Sequence, residues 1–138
     1  DRDIADFSAF RAAKEALKEG KILAVAPEGT RTRDGNMIRG KPGIAILAKQ
    51  CDVPIIPMAY YGHEDFYDNI KHFKRTPMHI RVGKPFKINW EGKARDKETL
   101  QTVTDAIMLE VAELLPEEYR GEYAEIYVDR EDYITPLA

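Results

Sequence analysis

Apolar positions recur at helical spacing near both ends of the chain and as short runs or alternations between them. Phe10, Ala13 and Leu17 lie three to four residues apart, which predicts a helix capped by Ser8 and stopped at Gly20, where a left-handed residue costs least. Ile22 to Ala26 is apolar without alternation. Such a run predicts a short strand covered on both faces, as in a sheet with helices on each side. A short helix follows over Gly43 to Lys49, packed by Ile44, Ile46 and Leu47. Val53 to Tyr61 reads as a second buried strand, although Pro54 and Pro57 remove two ladder donors and require an edge, a bend or a bulge.

Farther on, Met78, Ile80 and Val82 alternate with His79 and Arg81, the pattern of a half-buried strand, and Gly83 to Pro85 turns the chain into Phe86 to Ile88. Leu100, Val103, Ile107, Val111 and Leu114 predict an amphipathic helix of about five turns, ended by Pro116, whose apolar stripe packs on the sheet. Its polar face is not enriched in Lys or Arg, which disfavours a membrane-surface role for that helix. Asn69 to Lys74 is too short and polar to assign. Glu117 to Ala138 has several tyrosines but no period. Helices and strands thus interleave, and the expected class is α/β, a mixed and partly parallel sheet flanked by helices.

Composition narrows this picture. A chain of 138 residues with 43% hydrophobic content is the size of one domain and can bury a core. The single Cys51 has no companion for a disulfide or a metal site, so a reducing setting and a small buried side chain are expected. No run approaches the roughly 18 apolar residues of a spanning helix, and Asp1-Arg2-Asp3 lacks the order of a signal peptide. The net charge of -3 argues against binding nucleic acid through phosphate neutralisation. That total hides an asymmetry. From Glu28 to Lys49 five basic residues face two acidic ones, a local +3, whereas from Glu110 onward nine carboxylates face two arginines.

The basic excess falls in Ala26 to Gly43, APEGTRTRDGNMIRGKPG, just past the carboxyl end of the first expected strand. Ligands of open α/β sheets collect at such ends, and a loop of this length tends to be functional. Gly29 permits a tight bend and close approach, while Arg31, Arg33, Arg39 and Lys41 offer donors suited to phosphate oxygens. Neither Gly-x4-Gly-Lys-Ser/Thr nor Gly-x-Gly-x-x-Gly is present, so a nucleotide polyphosphate has no cradle here. His72 and His79 have no metal-ligand spacing, and no metal site is expected.

Pro27-Glu28-Gly29-Thr30-Arg31-Thr32 followed by Lys41-Pro42-Gly43, together with Val53-Pro54-Ile55-Ile56-Pro57 and the initial Asp1-Arg2, resembles three of the four sequence blocks of the lysophosphatidic acid and glycerol-3-phosphate acyltransferase family. The resemblance runs from Asp1 to about Gly62 and is most specific at the Glu-Gly-Thr-Arg block. It implies a substrate phosphate-binding site made of Arg2, Glu28, Gly29, Thr30, Arg31 and Lys41, in which Arg2 and Arg31 hold the phosphate of a glycerophosphate acceptor and Lys41 is a further contact. Glu28 would repel phosphate, so it should orient Arg31, accept from local amides or meet glycerol hydroxyls. Pro54 and Pro57 would form a structural wall.

The family's remaining block, His-x4-Asp, supplies the base for the attacking hydroxyl. It is expected upstream, in roughly a further hundred residues, so that residues 1–138 form the C-terminal portion of a single acyltransferase domain with no catalytic residue of their own. His63 and Asp68 match the spacing by chance: they follow the fourth block instead of preceding the second. The resemblance further implies a glycerolipid acyltransferase of phospholipid synthesis that binds no cofactor and takes acyl-CoA or acyl carrier protein as co-substrate. Its parent would work at the cytoplasmic face of a membrane, while this fragment alone would be soluble and inactive. A non-catalytic phosphate-binding module is the alternative, and the presence or absence of the upstream His-x4-Asp separates the two.

Overall fold

Helix α4 (Lys97–Ala112) organises the fold, and its start is set by Asp96, whose carboxylate accepts from the Thr99 N–H at 2.7 Å. A computed structural model describes residues 2–137, with side chains from residue 7 onward. The elements in order are α1 (Arg2–Lys18), α2 (Gly43–Cys51), β1 (Met58–Tyr61), α3 (Phe66–Lys71), β2 (His79–Val82), β3 (Phe86–Ile88), α4, three 3-10 turns (Glu117–Tyr119, Gly121–Ala124, Arg130–Asp132) and β4 (Ile134–Pro136).

One side of α4 buries Val103 and Ile107 against Ala45 and Ala48 of α2 and Phe86 and Ile88 of β3. Farther along, Met108, Ala112 and Leu115 pack with Met37, Ala59 and Tyr123. Fully buried side chains such as Phe86 and Val103 each contribute about 1.5–3 kcal/mol of transfer free energy. The helix ends at Ala112, before Pro116 and one turn short of the expected length, because Leu114 and Leu115 close a tighter turn onto the carbonyls of Val111 and Ala112.

The fold mixes helices and strands, but every strand pairing among the described residues is antiparallel, in two two-stranded sheets, β1 with β2 and β3 with β4. The parallel part of the expected sheet is not formed by these residues. Ile22 to Ala26, expected as a buried strand, has no ladder partner among the described residues, and Ile22 is 98% exposed. A strand needs neighbours for its N–H and C=O groups as well as an apolar sequence, and none lies beside this one.

The second expected strand is broken where its prolines stand. Ile55 exchanges both backbone bonds with Phe86 of β3, at 2.7 and 2.9 Å, whereas Met58 to Tyr61 pair with β2. Pro57 lies at the switch, buried, with its carbonyl accepting from Gly83 N–H at 2.9 Å, and Pro54 is exposed. Alternation along β2 predicts one hidden face, yet all four residues are exposed.

Two helices depart from expectation in register. Ser8 lies inside α1 instead of capping it, while Gly20 does take the left-handed conformation (φ 76°), with its N–H on the Leu17 carbonyl. In α2 the buried residues are Ala45, Leu47 and Ala48, with Ile44 and Ile46 half-buried. The unassigned tail docks through β4 and through Arg130, which pairs with Glu110 at 2.8 Å and with Glu113. No helix of the described residues is long and apolar enough to cross a membrane.

Candidate functional site

The loop between Ala26 and Gly43 is drawn closed at its base, where the Lys41 N–H donates to the Pro27 carbonyl at 2.8 Å. This bond brings the turn after Ala26 beside the start of α2. Gly29 donates to the Ala26 carbonyl and has φ 69°, a conformation that side chains resist. Space at Gly29 is restricted too: a Cβ there would lie 2.9 Å from Lys41 Nζ. The Lys41 ammonium therefore rests over the Gly29 backbone, 12 positions away in sequence.

Helix α2 opens at Gly43 with no side-chain cap and no carboxylate in its first turn. Its first N–H groups and the positive end of its dipole are thus unopposed, which favours an anion. A Cβ placed on Gly43 would meet nothing within 4 Å, so the approach is open. Arg31 and Arg33 are exposed, and among the described residues their side chains form no ion pair. Thr30 is exposed on the same turn. Arg2 begins α1, and its side chain lies outside the described residues.

Glu28 turns inward. Its Oε2 accepts from the Ile38 N–H at 3.1 Å, so of the roles weighed for it the amide one is seen. Burial, the largest influence, and the nearby Glu122 raise its pKa, while the Ile38 hydrogen bond lowers it; the net direction is upward. Arg39 also turns inward, unlike the other cations of the loop. Its guanidinium meets buried Asp105 of α4, Nη2 to Oδ2 at 2.8 Å and Nε to Oδ1 at 3.4 Å. Asp105 Oδ1 further accepts from Gln101 Nε2 at 3.0 Å and the Tyr123 hydroxyl at 2.9 Å. That hydroxyl in turn accepts from the Gly40 N–H at 2.8 Å. Burial, first, and the hydrogen bond to Asp105 push the Tyr123 phenol well above its ordinary range.

More bonds hold the same part of the loop. Met37 N–H donates to the Tyr119 carbonyl at 3.0 Å, Glu122 N–H to the Met37 carbonyl at 3.2 Å, and Arg39 N–H to Glu122 Oε2 at 2.6 Å. Gly40 is buried against α4, where a Cβ would come within 2.8 Å of Met108. Asp105, Tyr123 and Glu122 escaped the sequence reading. One signal was available for Asp105, a carboxylate inside the apolar run Val103 to Met108, where burial demands partners; nothing local marked Tyr123.

His63 and Asp68 do not form a pair. The Asp68 carbonyl faces His72 Nδ1 at 2.7 Å, while His63 Nδ1 is buried without a hydrogen-bond partner and its ring lies 4.9 Å from that of Tyr60. His79 stacks on Tyr61. Among the described residues no cluster of His, Cys, Asp and Glu could hold a metal. Two open depressions are lined by Glu117, Glu118 and Glu122 in one case and Glu110, Glu113 and Glu131 in the other, surroundings that repel a phosphate.

Comparison with known proteins places these features in context. A family described as Acyltransferase matches residues 4–61, from α1 through the end of β1. The 1-acyl-sn-glycerol-3-phosphate acyltransferase of Bacillus subtilis (strain 168) is 29% identical over 114 residues, 83% of this chain and 55% of that protein. The alpha form of 1-acyl-sn-glycerol-3-phosphate acyltransferase from Homo sapiens is 46% identical over 74 residues, 53% of this chain and 26% of its own length. The corresponding Mus musculus protein is 36% identical over 84 residues, 61% of this chain and 30% of its length. The chain thus spans about half or less of these curated relatives. No solved structure matches.

Proposed function

We propose that this chain, which matches the Acyltransferase family over residues 4–61, forms the acceptor-holding portion of a glycerolipid acyltransferase that esterifies lysophosphatidic acid or glycerol 3-phosphate. The observation that carries the reading is the meeting of three anion-seeking features in one loop: the Lys41 ammonium over Gly29, the uncapped start of α2 and the exposed Arg31, which is in no ion pair among the described residues. An acceptor phosphate takes hydrogen bonds from Lys41 and from the first amides of α2, and Arg31 closes over it with Arg2 as a further cation. Glu28 keeps the turn in shape from behind, through Ile38.

In the reaction the acceptor hydroxyl attacks the carbonyl carbon of a fatty acyl thioester, carried by coenzyme A or acyl carrier protein. A C–O bond forms, the C–S bond breaks, and the hydroxyl proton passes through a base to the departing thiolate. Among the described residues no hydrogen bond links His63, His72 or His79 to the anion loop's donors, so the reading assigns the base to a His-x4-Asp block in the upstream part of a parent domain. The same upstream part supplies neighbours for Ile22 to Ala26 and completes a partly parallel sheet. The parent works at the cytoplasmic face of a membrane, binds no nucleic acid and needs no bound cofactor, and residues 1–138 alone are inactive.

Titrating glycerol 3-phosphate into the isotopically labelled chain tests the site. The amide signals of Gly29, Gly43 and Ile44 are expected to move together, and Arg31→Ala or Lys41→Ala each weakens binding by roughly tenfold or more, as befits a lost charge-assisted hydrogen bond. Shifts confined to other regions, or undiminished binding by both variants, overturn the assignment. Activity that appears only on N-terminal extension supports the assignment of the base; thioester-dependent acylation by the 138 residues alone refutes it.

A further inference from the structure

Helix α3 and the turn after it expose more apolar surface than their length warrants. Among the six residues of α3 none is buried, and the exposed side chains include Tyr67 at 73% and Ile70 at 55%. Phe73, two residues beyond α3, is 100% exposed and has φ 55°, a left-handed conformation costly for an aromatic residue. The turn that presents it is well tied. Phe73 N–H donates to the Ile70 carbonyl at 3.2 Å, the Asn69 carbonyl accepts from His72 and Lys74, and the Asn69 side chain donates to Thr76 Oγ1 at 3.1 Å.

Charge says what such a ring would meet. Lys71, Lys74 and Arg75 surround Phe73 in sequence, all exposed and, among the described residues, in no ion pair; Asp68 is the only carboxylate from Phe66 to Arg75. In a chain of net charge -3, this local +2 stands out against the acidic C-terminal stretch. An apolar protein groove would accept the ring but leave the cations without partners. An anionic phospholipid surface satisfies both, with the ring at the headgroup boundary and the cations on lipid phosphates. The turn is also rooted beside the anion loop: a Cβ on Gly35 would lie 3.1 Å from Glu64 Cγ, two residues before α3.

We propose that the turn from Tyr67 to Arg75 is a membrane-docking element that sets Phe73 into the headgroup region of an anionic bilayer, with Lys71, Lys74 and Arg75 against its phosphates. The proposal deepens the reading of a lipid acceptor, since it gives the anion loop a way to meet a substrate that resides in a membrane. It does not depend on catalysis.

Its test is co-sedimentation of the 138-residue chain with vesicles of phosphatidylcholine, with and without phosphatidylglycerol, in excess glycerol 3-phosphate so that the anion loop is occupied. Binding is expected for the anionic vesicles and should weaken with salt. Phe73→Ala lowers it severalfold. The triple change Lys71→Gln, Lys74→Gln and Arg75→Gln lowers it by roughly a hundredfold, at about fivefold per charge, and removes the preference for anionic lipid. A Phe73→Trp variant in a Trp90→Phe background reports insertion by a blue-shifted emission on the same vesicles. Absence of vesicle binding, equal binding by wild type and the triple variant, or an unshifted indole emission from the bound Phe73→Trp variant each overturns the proposal. Glycerol 3-phosphate binding, measured separately by amide shifts, shows whether the anion loop stands when the docking element falls.

Discussion

The two halves of the loop from Ala26 to Gly43 are made of similar residues and have opposite fates. In the far half, Met37 to Gly40, the groups are committed within the fold: Arg39 to Asp105, Gly40 to Tyr123, Met37 to Tyr119 and Glu122. In the near half, Pro27 to Arg33, Arg31 and Arg33 are exposed and, among the described residues, in no ion pair, while Glu28 reaches across to Ile38 and the Pro27 carbonyl to the Lys41 N–H. Two arginines eight residues apart are therefore placed differently, Arg39 tying the loop to α4 and Arg31 exposed, the one we propose as a phosphate ligand. The difference teaches that a count of cations overstates a phosphate site, and that the carboxylates facing the loop decide which remain available.

The sharpest way to break this comparison is Asp105→Ala. It removes an acceptor serving Arg39, Gln101 and Tyr123. The half-exposed Arg39 can turn to water, but the Tyr123 hydroxyl stays buried and short of a partner. The expected loss is about 2 kcal/mol of unfolding free energy, the scale for leaving a buried donor unsatisfied and breaking the bonds around it. Urea denaturation measures it. Arg31→Ala, by contrast, should move the midpoint within error, since it severs nothing within the fold. Equal losses at the two positions would erase the distinction between the halves.

That distinction was only partly legible in the sequence. Periodicity found α4 and the glycine that stops α1, because both are local properties of a helix and its end. The strand expected at Ile22 to Ala26 failed for a different reason: pairing depends on a neighbour, and an apolar run carries no record of whether that neighbour is present. Likewise β2 alternates faithfully but is exposed on both faces, since alternation sorts residues into two faces without saying what covers either. Within the site, the Pro27 to Gly43 motif was visible and its division was not. Arg39 meets Asp105 across 66 positions, and Gly40 meets Tyr123 across 83. Separations of that size leave no trace in local spacing.

Gly29→Ala probes the near half with a smaller effect. The left-handed φ of 69° costs a side chain about 1 kcal/mol, and the new methyl would crowd the Lys41 ammonium, which is the flexible end of its side chain and can move aside. Stability should thus fall by only about 1 kcal/mol, whereas glycerol 3-phosphate affinity should fall further in proportion, because the displaced group is the proposed ligand. A variant with the same stability loss and full affinity would detach Lys41 from the phosphate.

The smallest expected effect lies at Glu28, where the halves touch. Burial, the leading cause, raises its pKa from 4.5 despite the opposing Ile38 hydrogen bond, so the folded state holds the proton more tightly than the unfolded chain does. Between the unfolded value near 4.5 and the raised folded value, the native state binds more protons, and stability from this group falls as pH rises through that window. Below 4.5 the contribution is fully present. Glu28→Gln cannot titrate, so the stability difference between wild type and variant should be largest in favour of wild type in acid and should decline above pH 4.5 to a plateau. Denaturation curves of the pair from about pH 4 to about pH 7 read this directly. The opposite slope would mean that the Ile38 N–H outweighs burial, making the carboxylate a net anchor between the two halves instead of a strained one.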